Sequence, residues 1–295
     1  MSPATRSICA HIAASVAFAL AATSPSFAQG KSQEAHGHSS PPSRSTLPPP
    51  TAIGVTAGTT PFAWVDDASL LSPGDVWIGL STLRWQGVDA SEVDAPVIDA
   101  AVGVSQRLQI GVSAPRVIGS SDPGGAEGGL GTTYIHGKIA LLHGARYGLS
   151  VAVSPTVEIL GSSAMLAAPA DQSRVQWGAP VSAQVGVGSG RIYASTGYFS
   201  RGVWFLGAGT AAPVTPKIGV SASFSRSWAT TASTDPAVAA PNRNELSGGV
   251  SYSLSPAVGV FGSVGHTIAT ADADGGGATM SIGMSFLLRS QAIRN

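Results

Sequence analysis

From Asp75 onward, apolar positions recur at every second residue. In the last such segment Ala278, Met280, Ile282, Met284, Phe286 and Leu288 point one way, while Thr279, Ser281, Gly283 and Ser285 point the other. The segment ending at Leu254 repeats the pattern, with Leu246, Val250, Tyr252 and Leu254 set against Glu245, Ser247, Gly249, Ser251 and Ser253. A helix needs apolar residues three and four apart, so this spacing predicts strands. The polar face is serine and glycine. The outer face of a soluble sandwich would instead carry many lysines and glutamates. Strands with one lipid-like face and one small polar face suit a membrane barrel with a wet, crowded lumen.

The pattern places strands near 75–85, 97–104, 108–118, 133–142, 147–160, 174–187, 191–200, 203–212, 217–228, 244–254, 258–269 and 278–288. Short turns join alternate pairs: Ser105-Gln106-Arg107, Gly144-Ala145-Arg146, Gly188-Ser189-Gly190, Val214-Thr215-Pro216 and Ser255-Pro256-Ala257. Most of the intervening connections (86–96, 119–132, 161–173, 229–243 and 270–277) are longer, and only the one at Arg201-Gly202 is short. Short turns on one side and long loops on the other predict an all-β, transmembrane, up-and-down antiparallel barrel of about twelve strands, with the turns in the periplasm. An even strand count returns both chain ends to the periplasmic side. Trp77, Trp85, Tyr134, Tyr147, Trp204 and Trp228 fall near strand ends, where an aromatic girdle belongs.

Composition sharpens this reading. Charged residues make up 11% of the chain, against about 25% in a soluble domain. The formal net charge of zero offers no field to recruit nucleic acid. Arg6, the apolar run from Ile8 to Ala22 and the small residues at Ser26-Phe27-Ala28 read as a signal peptide spanning 1–28, cleaved before Gln29. Cys9 lies inside it, so the mature chain would carry no thiol. Residues 29–60, with His36-Gly37-His38 and Pro48-Pro49-Pro50, read as a Pro/Ser-rich disordered periplasmic leader. The barrel is expected over 61–288, entered through a turn running from Asp66-Asp67 to Pro73-Gly74-Asp75, with a C-terminal tail at 289–295. Such a chain implies the bacterial outer membrane as its location. Its expected partners are outer-membrane lipids, the outer-membrane assembly machinery and a small-molecule solute.

Several segments carry a resemblance. Thr60-Pro61-Phe62, Asp66-Asp67-Ala68 and Leu71-Ser72-Pro73-Gly74-Asp75 lead into an alternating strand. The hairpin Gly103-Val104-Ser105-Gln106-Arg107-Leu108-Gln109-Ile110-Gly111-Val112 is echoed by Thr215-Pro216-Lys217-Ile218-Gly219-Val220 and Ser255-Pro256-Ala257-Val258-Gly259-Val260. Over residues 60 to 288 the chain resembles the outer-membrane transporters named for the meta-pathway of phenol degradation. The resemblance implies a pore or transporter of small solutes, hydrophobic or aromatic compounds among them. One departure stands out: outer-membrane barrels commonly finish on an aromatic residue, whereas here Phe286 is followed by Leu287-Leu288 and a polar tail.

Catalytic chemistry has little support. There is no HExxH, P-loop or GxSxG motif. His136, His143 and His266 lack ligand-spaced partners, so neither a metal nor another cofactor is expected. His266, alternating with Val264 and Ile268, is the one hint of a lipid hydrolase at the membrane face. The better candidates are charges that alternation turns away from lipid: Asp99, His136, Lys138, Glu158, Arg174 and Glu245. Facing lipid at mid-bilayer would cost an Arg or Lys about 2–4 kcal/mol, so these should line the lumen or sit near the interfaces. Charges lining a pore set its ion selectivity. The same charges, paired across a narrow barrel, would plug it. The sequence thus supports a channel, with a membrane hydrolase or a closed structural or adhesive barrel as alternatives.

Overall fold

A computed structural model describes residues 65–87, 91–120, 129–142, 148–162, 165, 173–200, 202–229, 243–270 and 277–290. The segments read as signal peptide and leader lie outside the described residues, as does Tyr147. Period-two sequence becomes ladder throughout: β1 (Val76–Gln86), β2 (Ser91–Ser105), β3 (Leu108–Ser120), β4 (Thr133–Leu142), β5 (Leu149–Val153), β6 (Thr156–Ile159), β7 (Val175–Gly178), β8 (Val181–Val187), β9 (Gly190–Phe199), β10 (Val203–Pro213), β11 (Ile218–Ala229), β12 (Arg243–Ser255), β13 (Val258–Thr270) and β14 (Ala278–Leu288). All pairings are antiparallel between neighbours, and β14 pairs with β1 from Val76↔Leu288 to Gln86↔Ala278, closing the ring. Closure leaves no sheet edge exposed to lipid, which a membrane-spanning sheet requires.

Fourteen ladder segments make twelve crossings, because β5–β6 and β7–β8 are each one strand interrupted by a proline. Pro155 and Pro180 have no N–H to give the ladder. Their carbonyls still accept, from Gly137 N at 3.0 Å and Ser154 N at 2.8 Å, so the wall bends without opening. Proline also explains the largest departure from the expected strand limits. β2 begins at Ser91 rather than near 97, and the ladder steps over Ala95-Pro96 with a register shift between Asp94 and Val97. The first long connection thereby shrinks to residues 87–90. The remaining connections keep the expected alternation, which assigns the end bearing the 106–107, 188–189 and 256–257 turns to the periplasm.

The wall sorts side chains as alternation demands. Leu80, Ile98, Ile110, Val250, Val264, Met280 and Ile282 are exposed on the outward face, while Ser113, Ser182 and Ser195 are buried on the inward one. The girdle divides. Trp204 and Trp228 face outward in register with one another, and Tyr198 joins Trp204 at 5.4 Å and Trp177 at 5.9 Å between ring centroids. Trp77, Trp85 and Tyr134 instead share the inward face with Gly79, Leu83 and Lys138, because odd and even positions decide facing before ring chemistry does.

Candidate functional site

The segment before β1 is not just a turn. Only its end is: Asp75 N donates to Ser72 O at 3.0 Å, and Gly103 on β2 exchanges backbone hydrogen bonds with Gly74 and Asp75. Upstream, residues 65–71 run inside the barrel as a strap. Leu71 N donates to Gln109 Oε1 of β3 at 2.8 Å, and Ser69 Oγ donates to Gln184 Oε1 of β8 at 3.0 Å. Asp66 N donates to Ser195 Oγ of β9 at 3.3 Å. Val65 ends in a small apolar cluster with Tyr193 and Ala211. A Cβ on Gly207 would fall 2.3 Å from Val65 Cγ2, so that glycine makes room for the strap.

Two adjacent carboxylates anchor it. Lys138 Nζ lies 2.6 Å from Asp66 Oδ2 and donates to the backbone carbonyl of Asp67 at 3.0 Å. Arg191 Nη2 lies 2.9 Å from Asp67 Oδ2, and Ser182 Oγ donates to that same carbonyl at 3.1 Å. The Asp67 carbonyl and carboxylate therefore receive donors from β4, β8 and β9. Charge-assisted bonds of this kind are the stronger class of hydrogen bond. In a chain so poor in charge, they tie the strap to one side of the wall.

The six charged candidates are distributed unevenly. Lys138 faces inward and is spent on the strap. Asp99 is buried on β2 beside Gly79 and across from Ser113. His136 lays its imidazole over Gly111, where a Cβ would come within 2.5 Å of Nε2. Glu158 is fully buried and accepts from Tyr134 OH at 3.0 Å. Glu245 is buried on β12, cross-strand to Thr267. Arg174 precedes β7 and is exposed as a residue; its Nε donates to Leu160 O at 3.1 Å, at the end opposite the short turns. The strap brings Lys138 together with Arg191, a residue that alternation alone did not single out, and with Asp66 and Asp67, which read as turn residues. The available signal was two adjacent acids just upstream of the first strand of a charge-poor barrel.

The opposite wall is different. Along β11 to β14 the inward face includes Ser221, Ser223, Ser247, Ser251, Ser263 and Ser281, each half-buried, with Ser223–Ser247 at 2.6 Å and Ser263–Ser281 at 2.7 Å across strands, beside the buried Ser225, Glu245 and Thr279. These side chains keep part of their surface exposed, whereas Lys138, Ser182, Tyr193 and Ser195 on the strap side are buried. Trp77 and Phe261 add two rings to the inward face near the junction of β13, β14 and β1.

Comparison with solved structures finds the same architecture. The chain is similar to the COG4313 outer membrane channel from Pseudomonas putida F1, at 7% identity and TM-score 0.54, covering 75% of this chain and 98% of that one. It is similar to the KdgM porin in complex with disordered oligogalacturonate, at 7% identity and TM-score 0.51, covering 72% and 99%. The NanC porin matches at 8% identity and TM-score 0.51, covering 71% and 98%. No family model and no curated protein matches the sequence. The fold is that of an outer-membrane β-barrel.

Proposed function

We propose that this protein is a passive outer-membrane channel for small, largely uncharged solutes, which move along the serine-lined wall past the strap. The carrying observation is the division of the lumen. The strap and the cations holding it occupy the β3–β10 side, while six inward serines of β11–β14 stay part-exposed. Lys138 and Arg191 are engaged by Asp66 and Asp67. Little positive charge is therefore left to draw an acidic sugar of the kind bound in the KdgM complex.

Trp77 and Phe261 supply apolar footing beside hydroxyls, a surface suited to a small aromatic or amphiphilic molecule. This agrees with the hydrophobic or aromatic cargo that the family resemblance implies. Selectivity among ions would come from the charges near this path, Glu245 and Asp99, rather than from Lys138. The reading needs no cofactor.

The test is uptake by liposomes carrying the refolded mature protein, comparing a neutral aromatic alcohol with its carboxylate analogue and with a neutral sugar. Faster entry of the alcohol supports the proposal. A folded, inserted barrel that passes none of the three sinks it and favours the closed structural barrel.

A further inference from the structure

The outward face carries a pattern that solute passage does not explain. Six strands rise from the periplasmic end: β1, β3, β5–β6, β9, β11 and β13. Counted from the first residue of each, the ninth is Arg84, Arg116, Val157, Tyr198, Arg226 and His266. All six belong to the outward face, since Leu83, Val117, Glu158, Phe199, Ser225 and Gly265 beside them are buried. Arg84 is cross-strand to Met280, Arg226 to Leu206 and His266 to Leu246, each partner an exposed apolar residue. Three arginines and a histidine thus stand at one level in an apolar field.

That level is informative. Eight steps of about 3.3 Å along a strand tilted by about 40° climb about 20 Å. This is close to the top of an apolar band about 25 Å tall. An arginine is costly on the lipid face at mid-bilayer and nearly free of cost at the interface, where its long stem lies on apolar surface and its head reaches outward. The four residues also form one arc: β11, β13, β1 and β3 follow one another at every second strand around the wall, about 10 Å apart. The other two ascending strands carry Val157 and Tyr198 at this height, and Tyr198 belongs to the aromatic cluster with Trp177 and Trp204. None of the described carboxylates lies on the outward face of a strand.

We propose that Arg84, Arg116 and Arg226, with His266 as a further donor, form a lipid-binding arc that holds phosphate groups of the phosphorylated glycolipid in the outer leaflet. Guanidinium groups bind phosphate oxygens in pairs through their planar fork. Donors at the leaflet boundary on successive ascending strands present that chemistry to a row of neighbouring headgroups. The arc covers the β11–β3 side, and the aromatic cluster anchors the remaining side through its rings. The barrel would then sit in the leaflet with one wall gripping headgroups electrostatically and the other gripping the interface through stacking.

The experiment uses the refolded mature protein in phosphatidylcholine vesicles, with and without bisphosphorylated lipid A, and reads the midpoint of heat-dependent gel mobility. Lipid A is expected to raise the midpoint of the parent protein. Arg84→Gln, Arg116→Gln and Arg226→Gln together should abolish most of that rise while leaving the midpoint in phosphatidylcholine alone unchanged. The corresponding triple lysine variant should keep part of it, since charge survives and the fork does not. If the triple glutamine variant does not fold, the three single variants should each lose a share of the rise. An equal rise in parent and variants overturns the proposal, as does no rise in the parent. An equal rise with inorganic phosphate in phosphatidylcholine vesicles would point to a free-ion site and overturn the lipid assignment.

Discussion

The two halves of the lumen are built from the same period-two strands and do opposite things. On the β3–β10 side, inward positions carry Lys138, Arg191, Tyr193, Glu158 and Gln109, nearly all buried, with a second layer of chain packed on them. On the β11–β14 side, inward positions are mostly serine and glycine, with Glu245, Phe261 and Thr279 among them, and the strap makes no described hydrogen bond to them. The difference lies in what the inward side chains can hold. Long charged donors reach off the wall and fix a peptide against it. Serines such as Ser223 with Ser247 and Ser263 with Ser281 spend their hydroxyls on one another across strands and are too short to hold a second layer of chain. A barrel of this size is thus partitioned by side-chain length and charge rather than by backbone.

The sharpest way to break the comparison is to remove the strap. A mature chain beginning at Leu71 should still fold, since β1–β14 close the ring without it. Its single-channel conductance should rise several-fold. An unchanged conductance would mean that the strap side never limited flow, and the division of the lumen would lose its meaning.

A smaller change should loosen the strap without deleting it. Asp67→Ala removes the partner of Arg191, whose side chain keeps about a fifth of its surface exposed. The loss should therefore fall below the 3–5 kcal/mol typical of a fully buried pair, at about 2 kcal/mol of docking free energy, or about thirtyfold in the docked population. A cysteine placed at Val65 reports this directly, because Cys9 is the only native thiol and lies in the segment read as signal peptide. Maleimide should label Val65→Cys faster when Asp67→Ala is present, and equal labelling rates would show that the ion pair does not hold the strap.

The serine side sharpens the contrast from the other direction. Ser223→Leu combined with Ser247→Leu should lower conductance by a substantial fraction while leaving maleimide labelling at Val65→Cys unaltered. If labelling changes too, the two sides are coupled and do not act as separate walls. The smallest expected effect is on ion preference: Glu245→Gln should shift reversal potential slightly toward anions, whereas Lys138→Gln should act mainly through strap labelling. A larger selectivity change at Lys138 than at Glu245 would place the filter on the strap side after all.

Much of this was legible before any coordinates. The alternation of Met280, Ile282 and Met284 with Ser281, Gly283 and Ser285 fixes which face meets lipid, because a strand's side chains alternate whatever surrounds it. The same logic placed His136, Lys138, Glu158 and Glu245 on the inward face. It failed where local chemistry competes with the ladder: Ala95-Pro96 reads as a strand boundary, yet β2 continues through it by a register shift. It was too coarse for the aromatics, where Trp77 and Trp85 lie near strand ends but on inward positions.

What the sequence determined by itself is the strand pattern, the side of the wall each residue takes and the alternation of short and long connections. These depend only on neighbours within a strand or a turn. The tertiary structure alone decided that Asp66 and Asp67 enter the lumen. The side chains that hold Asp66 and Asp67 there lie 71 to 129 residues further along the chain. Only after the ring closes do β4, β8 and β9 bring Lys138, Ser182, Arg191 and Ser195 around one short peptide. Local spacing cannot encode that meeting, because it depends on how many strands separate the donors around the barrel and on how deep along each strand they sit.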